Sequence, residues 1–272
     1  MGWLVVGVVL LIVAAALVLV RRSQQAKLRD ITGTETTSVR ELAELAQYVS
    51  QEMDGVHAFS RMVEVKGTIK CDQPLISEIA RQPCVYYAMK VTREFEETYW
   101  DTDSRSHNRV RRTRRGSDTV ASNSQRVEFF VEDASGRLRV DPTGADIDAV
   151  KVVDKYEPAE QQAGGPTLTF GGLSLNLGGM LTASGSHTLG YRSSESILPL
   201  DRRVYVLGEA SDASGELKIQ ASREKGKRFI ISLRSEEELV RSAESTIRWL
   251  FYSAVACGVL GVLAIVAGLF SR

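Results

Sequence analysis

Trp3–Val20 reads WLVVGVVLLIVAAALVLV and Trp249–Phe270 reads WLFYSAVACGVLGVLAIVAGLF; every charged side chain except Arg272 lies between these two runs. At roughly 1.5 Å of rise per residue the runs reach about 27 Å and 33 Å, enough to cross a hydrocarbon layer of about 30 Å. A cleaved secretory signal fits the first run poorly. No basic residue precedes it, and Arg21-Arg22 follows where a small-residue cleavage site would stand, so it reads as a retained anchor. The second run is long for a charge-free core helix. Trp3, Trp249 and Tyr252 sit near the span ends, as interfacial aromatics do. In the second span Ala254/Gly258 and Ala264/Gly268 recur four apart, a spacing that lets another helix approach closely. Packing on the first span and homo-oligomer formation through the second span both fit that stripe.

Flanking charge sets the orientation. Arg21, Arg22, Lys27 and Arg29 follow the first span, and Arg234, Arg241 and Arg248 precede the second. The excess of positive charge on this side places residues 21–248 in the cytoplasm and both termini across the membrane. The enclosed region holds 33 basic and 34 acidic groups within a chain balanced at 34 and 34, which excludes a generally basic nucleic-acid binder and a strongly acidic tail protein.

Inside the enclosed region, Ser38 and Glu41 form a capping-box pattern ahead of Leu42, Leu45, Ala46 and Val49, predicting a helix that Gly55 closes. Strand patterns follow at Met62–Ile69, Cys84–Val91, Arg126–Val131, Leu138–Val140, Arg203–Leu207, Leu217–Ile219 and Phe229–Ser232, with Pro74, Pro83, Pro142 and Pro199 placed between strands. Asp133–Val140 (DASGRLRV) echoes Asp212–Ile219 (DASGELKI), each after an apolar strand; Asp starts a hairpin turn and Gly takes the φ > 0 position. A duplicated β-unit and two independent hairpins both explain the echo. Residues 161–190 form a Gly-rich insert with eight glycines, and no charge occurs from Ala163 to Tyr191, predicting short kinked strands or a loop able to touch a membrane surface. Ser235 and Glu238 complete a second capping box, opening one helix from about 236 to 269. The expected organisation is therefore a transmembrane helix at 3–20, a β-rich domain at 38–248 and a transmembrane helix at 249–270. In class this is α+β: a mainly β domain, a small barrel or sandwich, enclosed between two transmembrane helices.

The chemistry-bearing residues are sparse. Cys71, Cys84 and Cys257 contain no C-x-x-C pair, and a cytoplasmic setting favours free thiols. His57, His107 and His187 sit in polar, loop-like contexts without an i+4 partner. No P-loop or G-x-S-x-G elbow occurs. Glu96 and Glu97 are adjacent, so on a strand they point to opposite faces and cannot share one substrate. These observations predict no catalytic residue, no metal and no cofactor. One cluster stands out: Arg105, Arg109, Arg111, Arg112, Arg114 and Arg115, without an acid among them and just after Tyr99-Trp100. It is read either as a solvated hairpin tip or as a contact for membrane lipids or a protein partner. A nucleic-acid partner is not expected, because the tip lacks a stacking platform.

The order of several short motifs resembles the GIDE family, that of the mitochondrial-anchored RING E3 ubiquitin ligase. The motifs are Val63-Glu64-Val65-Lys66-Gly67-Thr68-Ile69, Pro74-Leu75-Ile76-Ser77, Cys84-Val85-Tyr86-Tyr87, Phe130-Val131-Glu132-Asp133 with Gly136, and Val140-Asp141-Pro142 with Gly144-Ala145. Glu195-Ser196-Ile197-Leu198-Pro199, Tyr205-Val206-Leu207-Gly208-Glu209-Ala210 and Ser232–Arg248 continue it. The resemblance implies a "beside-a-membrane" domain between two spans. In the ligase a RING finger follows the second span. This sequence ends at Arg272 and offers no counterpart of the RING cysteines and histidine, so it resembles the RING-less prokaryotic-type members. The expected function is a membrane-anchored protein-binding or scaffold module of the ubiquitin ligase family, with a partner protein of unknown identity. The alternatives are a ubiquitin-transferring enzyme acting with a partner chain and an anionic-lipid-sensing accessory protein.

Overall fold

The computed structural model describes residues 2–52, 59–102, 109–159, 167–170, 173–176, 186–224 and 226–270. Three helices, α1 (Gly2–Thr32), α2 (Val39–Glu52) and α3 (Glu236–Phe270), flank fourteen strands among these residues. The strands are β1 (Ser60–Lys70), β2 (Leu75–Ile76), β3 (Pro83–Thr102), β4 (Arg109–Arg126), β5 (Phe129–Glu132), β6 (Arg137–Val140) and β7 (Asp146–Asp148). Then come β8 (Val150–Pro158), β9 (Thr167–Phe170), β10 (Leu173–Asn176), β11 (Ser186–Pro199), β12 (Arg203–Ser211), β13 (Lys218–Gln220) and β14 (Ile230–Ser232). The fold is α+β, with apolar helices at both ends of a mainly β chain. It divides into two compact units, one of Met1–Lys66, Gly144–Asp146 and Val204–Arg272, the other of Gly67–Thr143 and Ile147–Arg203, and the division falls within β1.

The first unit contains the helices. α1 does not stop where its apolar run stops; it continues through the basic flank to Thr32, and the Gly33 amide closes it on the Arg29 carbonyl at 2.9 Å. No glycine or proline interrupts residues 21–32, which explains the extension. α3 begins as its capping box predicts: the Ser235 hydroxyl accepts from the Glu238 amide, the Ser235 amide donates to the Glu238 carboxylate, both at 3.3 Å, and the helix runs unbroken to Phe270. At α2 the Glu41 amide donates to the Ser38 hydroxyl at 3.3 Å, and Val39, Leu42 and Ala46 are buried. The glycine expected to close it, Gly55, lies outside the described residues.

α1 and α3 are each long and apolar enough to cross a membrane, with window mean hydropathies of 3.2 and 2.4. Only 6% and 22% of those windows is buried, far from the near-complete burial of a soluble core helix. The two helices pack on each other through small residues. A Cβ on Gly7 would stand 2.5 Å from Ile265 and 2.8 Å from the Gly261 carbonyl, so only hydrogen allows that approach. Gly268 lies against Leu4, and Ala254, Gly261, Ala264 and Gly268 are buried. The seam is therefore 254–261–264–268: Ala254, Ala264 and Gly268 of the stripe read from sequence lie on it, and Gly261 takes the place of Gly258. Gly258 is off it, with nothing within 4 Å of a Cβ placed there.

The β part of this unit centres on β12, which pairs antiparallel with β14 (Val206 opposite Ile231) and with β13 (Ala210 opposite Ile219). Ile31, Tyr205, Leu207, Ile230 and Leu239 form its buried cluster, with Met62 and Val240 packed against it. The end of α1 and the first turn of α3 thus bury side chains in the same core as two strands.

The second unit is built on a five-stranded antiparallel sheet. β3 is its spine: β11 pairs along one edge, β4 and the short β2 along the other, and β8 pairs with β11. Cys84, Tyr87 and Ile197 form one buried cluster and Met89, Val91 and Tyr191 another. Beside this sheet the last residues of β1 pair with β5, and β5 with β6. Gly67 lets β1 come close, since a Cβ there would lie 2.6 Å from the Glu132 carbonyl and from Val131.

Several local expectations change. Pro83 opens β3 and Pro199 closes β11, rather than lying between strands; a strand's first residue and an irregular end, with the register shift at Leu198/Pro199, both tolerate a missing amide donor. The predicted strand Arg126–Val131 is two strands, with Arg126 ending β4 and Phe129 opening β5. In the echoed turns Gly215 has φ +90°, whereas Gly136 has no positive φ; there the Asp133 carboxylate takes the Ser135 and Gly136 amides and shapes the turn itself. The Gly-rich insert contains the antiparallel hairpin β9–β10, and its end from Ser186 belongs to β11; residues 160–166, 171–172 and 177–185 lie outside the described residues.

Candidate functional site

The two longest strands of the second unit make the arginine cluster a defined object. β3 and β4 pair from Tyr86–Arg126 out to Thr102–Arg109, so the cluster stands at the far end of a hairpin ladder. Register places Glu96 opposite Arg115, Glu97 opposite Arg114, Tyr99 opposite Arg112 and Trp100 opposite Arg111. Arg114 reaches Glu97 at 2.8 Å, Arg115 reaches Glu96 at 3.3 Å and Arg112 reaches Asp101 at 2.9 Å. Arg114 also lies 5.9 Å over the Tyr99 ring. These three pairs are solvent-exposed and worth at most about 1 kcal/mol each. Arg109 and Arg111 make no ion pair among the described residues, and beside them Trp100 is 67% exposed and Val110 42%. Arg105 lies outside the described residues, as do His57 and His107. His187 is not in a loop: it stands on β11 opposite Glu96.

Two buried carboxylates carry no local sequence pattern that would mark them. Glu64, on β1 in the first unit, is fully buried. One carboxylate oxygen takes the Thr36 hydroxyl at 2.5 Å and faces the Lys66 ammonium at 3.0 Å; the other takes the Tyr205 hydroxyl at 2.9 Å. Lys66 in turn meets Glu236, in the first turn of α3, at 2.7 Å. Burial draws the Lys66 pKa down, but hydrogen bonds to Glu236 and Glu64 outweigh it and leave the pKa above its ordinary value. Burial first, then the Glu64 charge, pushes the Tyr205 hydroxyl upward, so it remains a donor. The node ties the segment after α1, β1, β12 and the start of α3 together.

Glu195, on β11 in the second unit, is equally buried and accepts the Ile79 and Ala80 amides at 2.9 and 2.7 Å. Nearby, burial and then the Glu195 charge push the Cys84 thiol up to about 11, so it is protonated at neutral pH and inert as a nucleophile or metal ligand. Tyr87 is pushed up to about 12 by burial and by its hydrogen bond to Glu78. Both carboxylates have their oxygens occupied by the protein's own donors, which makes them fastenings rather than acid–base groups open to a substrate. Cys71, Cys84 and Cys257 are free thiols. Among the described residues no three His, Cys, Asp or Glu side chains stand together as metal ligands would.

The chain combines two mutually packed apolar helices, each long and apolar enough to cross a membrane, with mainly β units, one of which carries an exposed charged and aromatic hairpin. The family model named GIDE, described as E3 ubiquitin ligase, matches residues 98–267, more than half of the chain, and the chain belongs to that family. No curated protein and no solved structure matches it.

Proposed function

We propose that this chain is a membrane-anchored, protein-binding scaffold of the GIDE ubiquitin-ligase family, held by α1 and α3 and presenting the tip of the β3–β4 hairpin to a protein partner. The tip carries the proposal. Exposed Trp100 stands opposite Arg111 and half-exposed Tyr99 opposite Arg112, and Trp, Tyr and Arg are the residues that dominate binding energy at protein interfaces. Arg109 and Arg111 supply positive charge for an acidic partner surface, and the ladder behind them is preorganised. The basic flanks of the two helices favour a cytoplasmic placement of the β units, with both termini across the membrane.

A photo-reactive residue at Val110 of the full-length chain in native membranes tests this. Cross-linking to one protein, reduced at least tenfold by Trp100→Ala with Arg111→Gln, is expected. Cross-links to lipid alone, or ubiquitin transfer by the purified chain without any partner, contradict it.

A further inference from the structure

The first unit contains a second basic feature, on the same body as the membrane helices. A cleft of about 400 Å³ lies between the end of α1, the start of β1 and the segment before β14. Arg29, Arg61, Lys227 and Arg228 line it, against Asp30 and Glu35. The four cations differ in kind. Arg228 is fixed, donating to the Ser23 carbonyl at 3.0 Å and lying 3.6 Å from Asp30, which accounts for that acid. Arg29, Arg61 and Lys227 are exposed and make no ion pair among the described residues. Glu35 is then the remaining acid of the cleft lining, against three cations that make no ion pair among the described residues; Arg29 donates only to the Gln25 carbonyl, at 3.4 Å.

The position of the cleft narrows its ligand. α1 is one unbroken helix from the apolar run to Thr32, so Arg29 stands nine residues, or about 13 Å, beyond Val20. A headgroup layer extends about 5–7 Å outside the hydrocarbon, an average helix tilt of about 20° lowers the cleft by only ~1 Å, and the remaining gap of roughly 6 Å is the length of an extended arginine or lysine side chain. Arg21, stacked 4.8 Å over the Phe251 ring, marks the level where the pair of helices leaves the apolar layer. A cluster of cations just above the headgroups, beside a spanning helix, fits a projecting anionic headgroup.

We propose that this cleft binds the phosphate of an anionic phospholipid headgroup, with Arg61 and Lys227 as its two movable ligands, Arg29 beside them and Arg228 as the fixed wall. This site is independent of the hairpin and of the ubiquitin-ligase reading. It would set the tilt of α1 in the bilayer.

The full-length chain in detergent, titrated with dioleoyl phosphatidic acid or dioleoyl phosphatidylcholine and followed by native mass spectrometry, tests it. Phosphatidic acid should bind more tightly than the zwitterionic lipid. Arg61→Gln with Lys227→Gln should weaken it about thirtyfold, because two positive charges no longer face the phosphate. Glu35→Gln should tighten it about fivefold, a gain that damaged folding would not give. Arg109→Gln with Arg111→Gln, on the hairpin, should leave it unchanged. Displacement of the lipid by excess inorganic phosphate would assign the cleft to a free anion and overturn the lipid assignment. Equal binding of both lipids, or no effect of the Arg61 and Lys227 substitutions, would overturn the site itself.

Discussion

Glu64 and Glu97 are the same residue type in two opposite settings. Glu64 has no access to water and satisfies Thr36, Tyr205 and Lys66 at once. Glu97 stands on the hairpin with its partner Arg114 in water, the two side chains 35% and 68% exposed. A buried carboxylate with every oxygen occupied is costly to disturb and unavailable to a ligand. An exposed cross-strand pair contributes little to stability and can be exchanged for a partner's charges. Burial thus separates what fastens this protein from what it can offer.

The contrast is sharpest at the node. Glu64→Ala should destabilise the chain by about 3 kcal/mol, the low end for breaking a buried pair because Lys66 itself reaches water. Denaturant unfolding in detergent measures this. A loss no greater than that at an exposed pair would erase the distinction. Next comes the helix seam. Gly261→Leu should cost about 2 kcal/mol by overpacking against Gly7 and Leu11, whereas Gly258→Leu should be nearly neutral. Thermal unfolding of both variants shows which of Gly261 and Gly258 faces the other helix. At the hairpin, a double-mutant cycle on Glu97 and Arg114 should give a coupling of about 0.5 kcal/mol that fades with added salt.

A further expected effect is one of pH. Cys84 has its folded pKa raised from 9.0 to about 11. Between those values the unfolded thiol releases its proton while the folded one keeps it, so stability is full below about pH 9 and falls as pH rises toward 11. The melting temperature should decline across that window, and less steeply in Cys84→Ala. An identical slope in the variant would show that the thiol is not held as described.

What could be read in the sequence follows the same division. Uniform apolar runs and side-chain caps announce themselves locally, so α1, α3 and the Ser235 cap were legible. β4 was not. It is exposed along both faces, so RVRRTRRGSDTVASNSQR shows no alternation, and its strand character comes from pairing with β3. Glu64 was hidden for the opposite reason. In Val63-Glu64-Val65 alternation sends the carboxylate outward, yet all three residues are buried. Tyr205 and Thr36, the partners that make this tolerable, are distant in sequence. The cleft cations are likewise spread over three segments, and nothing local links Arg61 to Lys227.

α1 and α3 of one chain pack together through Gly7, Gly261 and Gly268, and the proposed function needs that pair to persist in a membrane. Cysteines at Gly7 and Gly261, in a chain whose native Cys71, Cys84 and Cys257 are alanine, can be oxidised in native membranes and run on a non-reducing gel. An intramolecular bridge at the monomer position is the predicted result; a disulfide-linked dimer, or no bridge at all, would contradict it.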